Sequence, residues 1–278
     1  MSNILALDDL AGLVPAGSKV ALPADYAGVA MALTPALIRQ GRGGLHLVCV
    51  PTGGLQVDML IGAGLVAVLE TSAVSLGEAG AAPCFVRALA NGSLRMLDAT
   101  CPAVHAGLIA AQKGLPFLPI RGLIGTDVLA RRPDWRVIQN PCSDEADPIV
   151  VVPAIVPDVA IFHAPVADRL GNVWIGRRRE LATMAYAARR TLVTVERVEE
   201  DSLLRDETLA AGVLPSLYVD AIALAPRGAA PYGLWGDYAP DAAEIARYAA
   251  AARSEAGFGA YLRGILGEDA GASAGAAG

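Results

Sequence analysis

Three short, continuously apolar runs between residues 149 and 196 constrain the fold more than any other feature of the sequence. Residues 150–152, 159–162 and 192–195 are rich in β-branched side chains, and loops or a helical segment separate them. Runs of this kind are typical of strands that helices cover on both faces, and such strands belong mostly to parallel sheets. In open parallel sheets, ligands bind beyond the carboxyl ends of the strands. Functional side chains are therefore expected directly after each run.

The alternation of strand and helix patterns continues along the rest of the chain. Because the composition does not change sharply, we predict a single α/β domain over residues 1–266, with an open, mostly parallel sheet flanked by helices. Residues 267–278 are low in complexity and are predicted to form a flexible tail. Beyond the central segment, the predicted strands are residues 19–22, 45–50, 66–70, 94–97, 117–121 and 218–224. The predicted helices are residues 4–13, 29–41, 55–62, 83–89, 105–113, 198–209 and 241–266.

Net charge and hydropathy argue against several classes of partner. The 278 residues carry a formal net charge of −6, and the sequence pI is about 5.1, so nucleic acid and anionic membrane surfaces are not expected as partners. The N-terminal segment has acidic Asp8 and Asp9 where a secretory signal would be basic. No uninterrupted apolar stretch reaches the length of a transmembrane helix. We therefore expect a cytoplasmic protein.

The cysteines and histidines do not show the spacing of metal ligands. Both sets are scattered along the chain, whereas zinc sites use compact spacings. We interpret the cysteines as small buried hydrophobic residues and expect no metal site. The residues concerned are Cys49, Cys84, Cys101, Cys142, His46, His105 and His163.

Two glycine-containing loops that follow predicted strands are candidates for ligand binding. The segment PTGGLQ, residues 51–56, precedes a helix, so its amides could face an anion at the helix N-terminus. It matches neither GxGxxG nor GxxxxGK[ST], and a tight turn into the helix accounts for it equally well. The segment TSAVSLGEAG, residues 71–80, carries hydroxyl groups and one carboxylate, Glu78. Glu78 is interpreted either as a base or nucleophile of a pocket, or as a helix-start residue close to Pro83.

Charged residues after the later strands have less specific interpretations. Arg121 ends the strand FLPIR and could bind a carboxylate or phosphate, or it could pair with Asp127 or Glu145. His163 follows DVAIF, and a lone histidine there is more often a hydrogen-bonded core residue than a catalyst. The three arginines at residues 177–179 are interpreted as a solvated helix face or as a contact with an acidic partner surface.

The central segment also resembles a known family. The sequence PDVAIFHAPVADRLGNVWI, residues 157–175, resembles the strand–loop–strand signature of the A-type (alpha) subunit of family I coenzyme A transferases. Further matches follow in the order of that family along residues 5–265, and they resemble its glutaconate-type branch. They are PTGGLQVDMLIGAG (51–64), SLGEAGAAPCFVRA (75–88), LPFLPIRGLIGTDV (115–128), VDAIALAPRGAAP (219–231) and EAGFGAYL (255–262). Each match alone is modest, but the ordered set is specific.

The resemblance implies an open α/β sheet of the NagB/RpiA/CoA transferase type and an enzyme built from two kinds of chain. An A-type chain pairs with a B-type chain of similar fold in a heterotetramer or larger assembly, and the active site lies at their contact. A glutamate attacks an acyl-CoA to give an anhydride and then a glutamyl-CoA thioester, from which CoA passes to a second carboxylic acid. The resemblance thus implies that coenzyme A is a substrate and that no cofactor is permanently bound.

In this family the attacking glutamate belongs to the B-type chain, commonly within a Ser-Glu-Asn-Gly motif, and the present chain has no such motif. The resemblance therefore implies that the chain is inactive alone and supplies the acyl-binding side of the pocket. Glu78 is the candidate catalytic residue in this chain. The candidate substrate-binding residues are Thr52, Gly53, Gly54, Ser72, Ser75, Gly77 and Arg121.

Three other functions stay open. A related branch of the family opens cyclic acyl-CoA rings by hydrolysis with an acid on the A-type chain, and the comparable residues 98–101 here contain Asp98 but no glutamate. A non-catalytic acyl-CoA-binding module would bind its ligand without any partner chain. An isomerase or deaminase of sugar phosphates on the same sheet is disfavoured, because the chain has only two lysines, Lys19 and Lys113.

Overall fold

The computed structural model describes residues 4–267, and most of its strands form one large sheet. The strands are β1 (Ile4–Leu5), β2 (Lys19–Pro23), β3 (Leu45–Val50), β4 (Val66–Thr71), β5 (Arg95–Asp98), β6 (Phe117–Ile120), β7 (Arg136–Gln139), β8 (Pro148–Pro153), β9 (Val159–Asp168), β10 (Val173–Trp174), β11 (Arg190–Glu199), β12 (Val213–Leu214) and β13 (Ala221–Leu224). The helices are α1 (Leu7–Gly12), α2 (Thr34–Gln40), α3 (Leu55–Gly62), α4 (Pro83–Ala90), α5 (Cys101–Gln112), α6 (Asp127–Ala130), α7 (Arg179–Ala187), α8 (Glu207–Ala210), α9 (Ala242–Ala251) and α10 (Glu255–Leu266).

The large sheet confirms the predicted open, mostly parallel α/β fold. Its main path runs β1-β13-β11-β9-β2-β3-β4-β5, and each neighbouring pair along this path is parallel. Only the short strand β10 is antiparallel, to β9 and to β12. The carboxyl ends of the parallel strands therefore meet at one edge, which is where the loops after β2, β3, β4 and β13 begin.

Helices cover both faces of this sheet and give it two hydrophobic cores. Alternate residues of a strand point to opposite faces. Ile161 of β9 therefore belongs to the core that includes residues of α1, α2, α3, α4, α9 and α10, and Phe162 belongs to the core that includes residues of α5 and α7. All ten residues of β9 are buried. This double burial explains why the central apolar runs are continuous instead of alternating with polar residues.

A second sheet, which the sequence reasoning did not predict, is formed by β6, β8 and β7 in that order. Both of its pairings are antiparallel. The expectation that residues 150–152 form a parallel strand of the main sheet is therefore wrong, as is the expectation of a buried strand at residues 117–121. Residues of β6 alternate between exposed and half-buried, because only one of its faces packs on the body of the protein.

Several predicted helices also differ from the structure. The helix expected at residues 198–209 is largely absent, because β11 continues to Glu199 and only the short α8 follows. Residues 29–41 begin as a 3-10 turn, and α2 ends at Gly41, whose φ of 61° is the left-handed conformation that glycine adopts readily. Residue 4 lies in a strand, and the N-terminal helix is α1. Residues 268–278, most of the predicted flexible tail, lie outside the described residues.

A buried ion pair connects the second sheet to the first. Arg132, which is 3% exposed, donates to the Glu70 carboxylate of β4 at 2.8 Å and to the backbone oxygen of Asp98 at 3.2 Å. It also forms two hydrogen bonds with Asp134, of 2.9 and 2.8 Å. Its guanidinium lies over the Trp135 ring, 4.2 Å from the centroid. Every side of this buried charge is therefore occupied by a partner.

Two of the four cysteines do not fit the prediction that all are buried. Cys49 and Cys84 are buried, whereas Cys101 and Cys142 are exposed, and all four are free thiols. Within residues 4–267, no group of three or more His, Cys, Asp and Glu side chains could hold a metal ion. In the same range, no helix has the length and apolar character needed to span a bilayer.

Candidate active site

The loops after β3 and β4 lie side by side at the carboxyl edge of the main sheet. Gly53 donates its N–H to the Ala73 oxygen at 2.9 Å, and Ser75 donates its N–H to the Gly53 oxygen at 3.0 Å. The Ser72 hydroxyl donates to the Pro51 oxygen at 2.8 Å. The structure thus brings together the two segments that the sequence identifies as candidate acyl-binding loops.

Asp25, in the loop after β2, lies against the first of these loops. A methyl group at Gly54 would overlap the Asp25 carboxylate, so the close approach requires glycine at position 54. The Tyr232 hydroxyl accepts the Leu55 N–H at 2.6 Å and donates to Asp25. Among residues 4–267, the N–H groups of Thr52 and Gly54 have no hydrogen-bond acceptor. Free backbone donors beside a carboxyl group are suited to stabilise a developing oxyanion.

The Asp25 carboxyl is adapted to change its protonation state near neutral pH. Burial raises its pKa to about 6, and the hydrogen bond from Tyr232 opposes the rise. The pKa of Tyr232 is also raised, by burial first and by the Asp25 charge second, so its hydroxyl keeps its proton. A carboxyl group with a pKa near the working pH is an effective general acid or base.

A second carboxylate, Glu196 of β11, lies at the same edge and is fully partnered. It follows Val195, which is aligned with the last residue of β13. Tyr238 donates its hydroxyl to Glu196 at 2.6 Å, and the Arg227 N–H donates at 2.5 Å. Burial would raise the pKa of Glu196, but these donors and His163 lower it below its ordinary value. Glu196 is therefore held as a carboxylate.

His163 is a hydrogen-bonded core residue, as expected for a lone histidine at this position. Its Nε2 lies 2.8 Å from Glu196 Oε1, and its Nδ1 lies 2.8 Å from Thr194 Oγ1. Because the carboxylate can only accept, Nε2 carries the proton and donates it to Glu196. Burial lowers the pKa of His163, so the ring is neutral at neutral pH.

Two glycines fix the position of His163. A Cβ at Gly228 would lie 2.5 Å from His163 Cε1, and one at Gly28 would overlap the His163 carbonyl oxygen. The loops after β2 and β13 therefore close tightly around this histidine. No side chain larger than that of glycine fits at either position without displacing the histidine.

The structure places the other candidate residues in different surroundings. Gly77 and Glu78 lie in an exposed 3-10 turn of residues 77–79, and Glu78 has no hydrogen-bond or ion-pair partner within the described chain. Arg121 follows β6 in the second sheet and forms two hydrogen bonds with Asp147, one of them 2.8 Å long. The expected partners Asp127 and Glu145 are thus wrong. The roles of Glu78 and Arg121 in substrate binding stay predictions.

Next to these loops lies an open cavity of about 950 Å³. The loop of residues 232–240 forms one side, and Asp25 and Tyr26 form another. Arg178 lines the cavity at the start of α7 and is only 8% exposed. The interpretation of residues 177–179 as a solvated helix face is therefore wrong for the central arginine, although Arg177 and Arg179 are exposed.

Sequence reasoning missed Asp25, Glu196 and Arg178. The first two follow the apolar runs of residues 19–22 and 192–195, so the rule that selected the loop of Glu78 would also have selected them. Arg178 gave no signal, because a run of three arginines does not reveal which one points inward. The aromatic residues Tyr232 and Tyr238 were hidden for a related reason, since they belong to a long loop without periodicity.

The comparisons with known proteins decide the family. The family model for coenzyme A transferase matches residues 5–225. The chain belongs to the coenzyme A transferase family. Within the family it is 32% identical over 250 residues to the A subunit of the 3-oxoadipate CoA-transferase of Pseudomonas knackmussii, a match that covers 87% of this chain and 85% of the relative. The resemblance to A-type subunits, predicted from the ordered motifs, is thereby confirmed.

The glutaconate CoA-transferase of Acidaminococcus fermentans is similar in sequence and in structure. Its A subunit is 30% identical over 289 residues, which cover 95% of this chain and 87% of the relative. Its crystal structure matches with a TM-score of 0.87 at 28% identity, over 95% of this chain and 89% of the other. The chain also spans 54% of the length of an uncharacterized Archaeoglobus fulgidus protein, to which it is 33% identical over 245 residues, or 85% of this chain.

Relatives with other activities are also similar to this chain. The cholesterol ring-cleaving hydrolase IpdA subunit of Rhodococcus jostii is 31% identical over 263 residues, which cover 90% of this chain and 87% of the relative. The structure of a variant of the decarboxylase AibA/AibB matches with a TM-score of 0.82 at 29% identity, over 96% of this chain and 99% of the other. Overall similarity thus extends across several reactions, and the residues at the sheet edge must decide among them.

Proposed function

We propose that this chain is the A subunit of a heteromeric CoA-transferase that moves CoA between an acyl-CoA and a carboxylic acid. A B-type chain would supply the nucleophilic glutamate, and the two would assemble as a heterotetramer or a larger complex. The observation that carries the proposal is the pair of loops after β3 and β4, held together at the sheet edge with free amides at Thr52 and Gly54. Location in the cytoplasm stays a prediction.

The proposed reaction needs no external oxidant or metal. The partner's glutamate carboxylate adds to the acyl-CoA carbonyl and expels CoA thiolate, which leaves a mixed anhydride. The thiolate then adds to the glutamyl carbonyl of the anhydride and expels the first carboxylate, which gives the glutamyl-CoA thioester. A second carboxylate reverses these steps and leaves as the new acyl-CoA. Both additions place negative charge on a carbonyl oxygen, which the free amides of the first loop are suited to receive.

The proposal is tested by assembling this chain with the B-type polypeptide encoded next to it. The complex should exchange CoA between short carboxylic acids, and each chain alone should be inactive. Substituting the partner's glutamate with glutamine should abolish exchange without preventing assembly. Exchange by the isolated chain would contradict the proposal directly, because the covalent step would then need a nucleophile in this chain.

The same complex tests Glu78. If Glu78 faces the reacting atoms once the partner covers the exposed turn, Glu78→Gln should raise the barrier by about 2–4 kcal/mol. The matched control is Glu207→Gln, because Glu207 is exposed on α8. Glu180 is unsuitable as a control, because it lines the cavity. Equal turnover of both variants would assign Glu78 a structural role.

Ring-opening hydrolysis is the second candidate, and the similarity to the IpdA subunit favours it. In this chain the comparable position carries Asp98, whose carboxylate is paired with Arg131 at 3.1 Å. That ion pair engages the Asp98 carboxylate within the chain. Hydrolysis of a cyclic acyl-CoA by the complex, without CoA exchange to any acid, would favour this second function.

A further inference from the structure

A carboxyl group lies beside the free amides of the loop after β3. Asp25, in the loop after β2, is half-buried at the wall of the cavity. A methyl group at Gly54 would overlap both oxygens of the Asp25 carboxylate, so these oxygens are in direct contact with the Gly54 backbone. Within residues 4–267, the N–H groups of Thr52 and Gly54 have no acceptor. An oxyanion held by these amides is therefore a close neighbour of Asp25.

Repulsion between two negative charges at this site depends on the protonation state of Asp25. In the proposed reaction, each addition to a carbonyl group places a negative charge on its oxygen. Near a protein surface, two unit charges a few ångströms apart interact strongly enough to change a rate by about tenfold or more. The ionised carboxylate therefore opposes formation of the oxyanion, whereas the neutral carboxyl group does not.

The titratable groups nearest to Asp25 do not neutralise its charge. Burial and, more weakly, the Asp25 charge raise the pKa of the Cys49 thiol of β3 to about 12. Burial likewise raises the pKa of Tyr232, whose hydroxyl donates to Asp25. Both groups are therefore neutral in the range of pH over which Asp25 titrates.

The charged groups across the cavity do not cancel the Asp25 charge either. Within residues 4–267, neither of the two arginines on the cavity wall forms an ion pair with Asp25, and two further carboxylates on the same wall match their positive charges. The titratable side chains that line the cavity together with Asp25 are Tyr26, Arg177, Arg178, Glu180, Tyr232, Asp237 and Tyr238. The oxyanion site is therefore exposed to the full charge of Asp25.

We propose that Asp25 regulates the oxyanion site of the loop after β3 through its own charge: the neutral carboxyl group permits fast transfer of CoA, and the carboxylate slows it. This regulation rests on the proposed function, because the oxyanion belongs to that reaction. CoA transfer exchanges one carboxylate for another through a thiolate, so no step of it needs a proton from Asp25. Asp25 therefore changes the barrier through space and forms no bond with the reacting atoms.

The direction of the pH dependence follows from the environment of the carboxyl group. Burial raises the pKa of Asp25 to about 6, and the hydrogen bond from Tyr232 opposes the rise. The carboxyl group is thus neutral at lower pH and ionised at higher pH. We expect the rate of CoA transfer to fall from a high plateau to a lower one as the pH rises through about 6.

The test is the pH profile of kcat for CoA exchange by the assembled complex, with Asp25→Asn beside the wild type. The ratio of the Asp25→Asn rate to the wild-type rate should rise from about 1 at about pH 5 to about 10 at about pH 8. Ionisation of the substrates and of the partner's glutamate is common to both proteins and cancels in this ratio. Asp9→Asn is the matched control, because Asp9 is exposed on α1 and the change in charge is the same. Its rate should equal that of the wild type at every pH.

Tyr232→Phe tests the same carboxyl group without replacing it. The Tyr232 hydroxyl opposes the burial that raises the pKa of Asp25, so its removal should move the midpoint of the pH profile towards higher pH. The high plateau in acid should stay in place. A merely structural role of Tyr232 would instead lower the rate by the same factor at every pH.

Other outcomes separate the failure of this inference from the failure of the proposed function. If the ratio of the Asp25→Asn rate to the wild-type rate does not rise with pH, the inference is wrong, and the proposed function stands because CoA exchange persists. If Asp25→Asn does not fold, a Tyr232→Phe profile with an unchanged midpoint overturns the inference instead. Absence of CoA exchange in the wild-type complex at every pH would refute the proposed function, and the regulation with it.

Discussion

Arg132 and Arg178 are both almost completely buried, and their surroundings are opposite. Arg132 has Glu70, Asp134, a backbone oxygen and the face of Trp135 around it. Arg178 has a cavity of about 950 Å³ and no partner among the described residues. Folding alone explains the first arginine, since it connects the two sheets. The second has no such role, because it lines an open cavity and contacts neither sheet through a hydrogen bond or ion pair of its side chain within residues 4–267.

The largest expected effect comes from removing the partnered arginine. Arg132→Ala leaves Glu70 buried without its counter-charge, which should lower the free energy of unfolding by about 3–5 kcal/mol. Arg178→Ala removes an unpaired charge and should change it by less than about 1 kcal/mol, or raise it. Urea denaturation of both variants measures the contrast. Similar losses in the two variants would mean that Arg178 has a structural role after all.

Glu196→Gln tests whether a partnered charge next to the cavity behaves like Arg132. The substitution weakens the bonds from Tyr238, Arg227 and His163 and should cost about 2–3 kcal/mol at neutral pH. The folded-state pKa of Glu196 is depressed, so this contribution is present above the ordinary pKa of 4.5 and is lost as the pH falls through the folded-state value. The loss of stability caused by Glu196→Gln should therefore be smaller at acid pH.

Tyr238→Phe should have a smaller effect than Glu196→Gln, because it removes one hydrogen-bond donor and leaves the Glu196 carboxylate in place. This substitution should lower the free energy of unfolding by about 1 kcal/mol. Denaturation at neutral and at acid pH, with both variants beside the wild type, provides the measurement. If the Glu196→Gln variant were as stable as the wild type, the hydrogen bonds of Glu196 would not stabilise the fold in the way that those of Arg132 do.

Asp25→Asn, in contrast, should raise the free energy of unfolding at neutral pH. The pKa of Asp25 is raised from 3.8 to about 6, so between these values the native state binds more protons than the unfolded state and stability falls as the pH rises. The full shift corresponds to at most about 3 kcal/mol, which partial exposure reduces to about 1–2 kcal/mol. Asp25→Asn should thus be more stable than the wild type by that amount at about pH 7.5 and equal to it near about pH 4. No difference between the two pH values would contradict the raised pKa.

The smallest effect is expected for Arg121→Ala. Its guanidinium is exposed and paired with Asp147 on the second sheet, and surface ion pairs contribute little to stability. Both the melting temperature and KM for the carboxylic acid should stay close to the wild-type values. A clear rise in KM would instead restore the predicted contact between Arg121 and substrate.

The sequence predicted the main sheet well because its strands are buried on both faces. Continuous apolar runs as short as residues 192–195 are typical of such strands. The second sheet was missed because residues 150–152 show the same pattern, although β8 lies in an antiparallel sheet. A local run of apolar residues indicates that a strand is buried. It does not indicate whether the neighbouring strand is parallel or antiparallel, because that depends on contacts between residues distant in sequence.

The candidate site was predicted less completely. The family resemblance predicted that the loops of residues 51–56 and 71–80 lie on one side of a pocket, and Gly53 indeed contacts Ala73 and Ser75. Asp25 and Arg178 depend on where residues 232–240 fold back over the sheet edge, and that loop has no periodicity to reveal its path. The partnered network of Glu196 shows the same dependence, since Tyr238 lies 42 residues further along the chain.

The overlap between a methyl group at position 54 and the Asp25 carboxylate couples two distant positions of the chain. A larger residue at 54 can be accommodated only if residue 25 becomes smaller or swings into the cavity. Homologues should therefore vary at these two positions together, and a side chain introduced at position 54 alone should be poorly tolerated. A side chain at position 54 therefore has to be introduced together with a smaller residue at position 25.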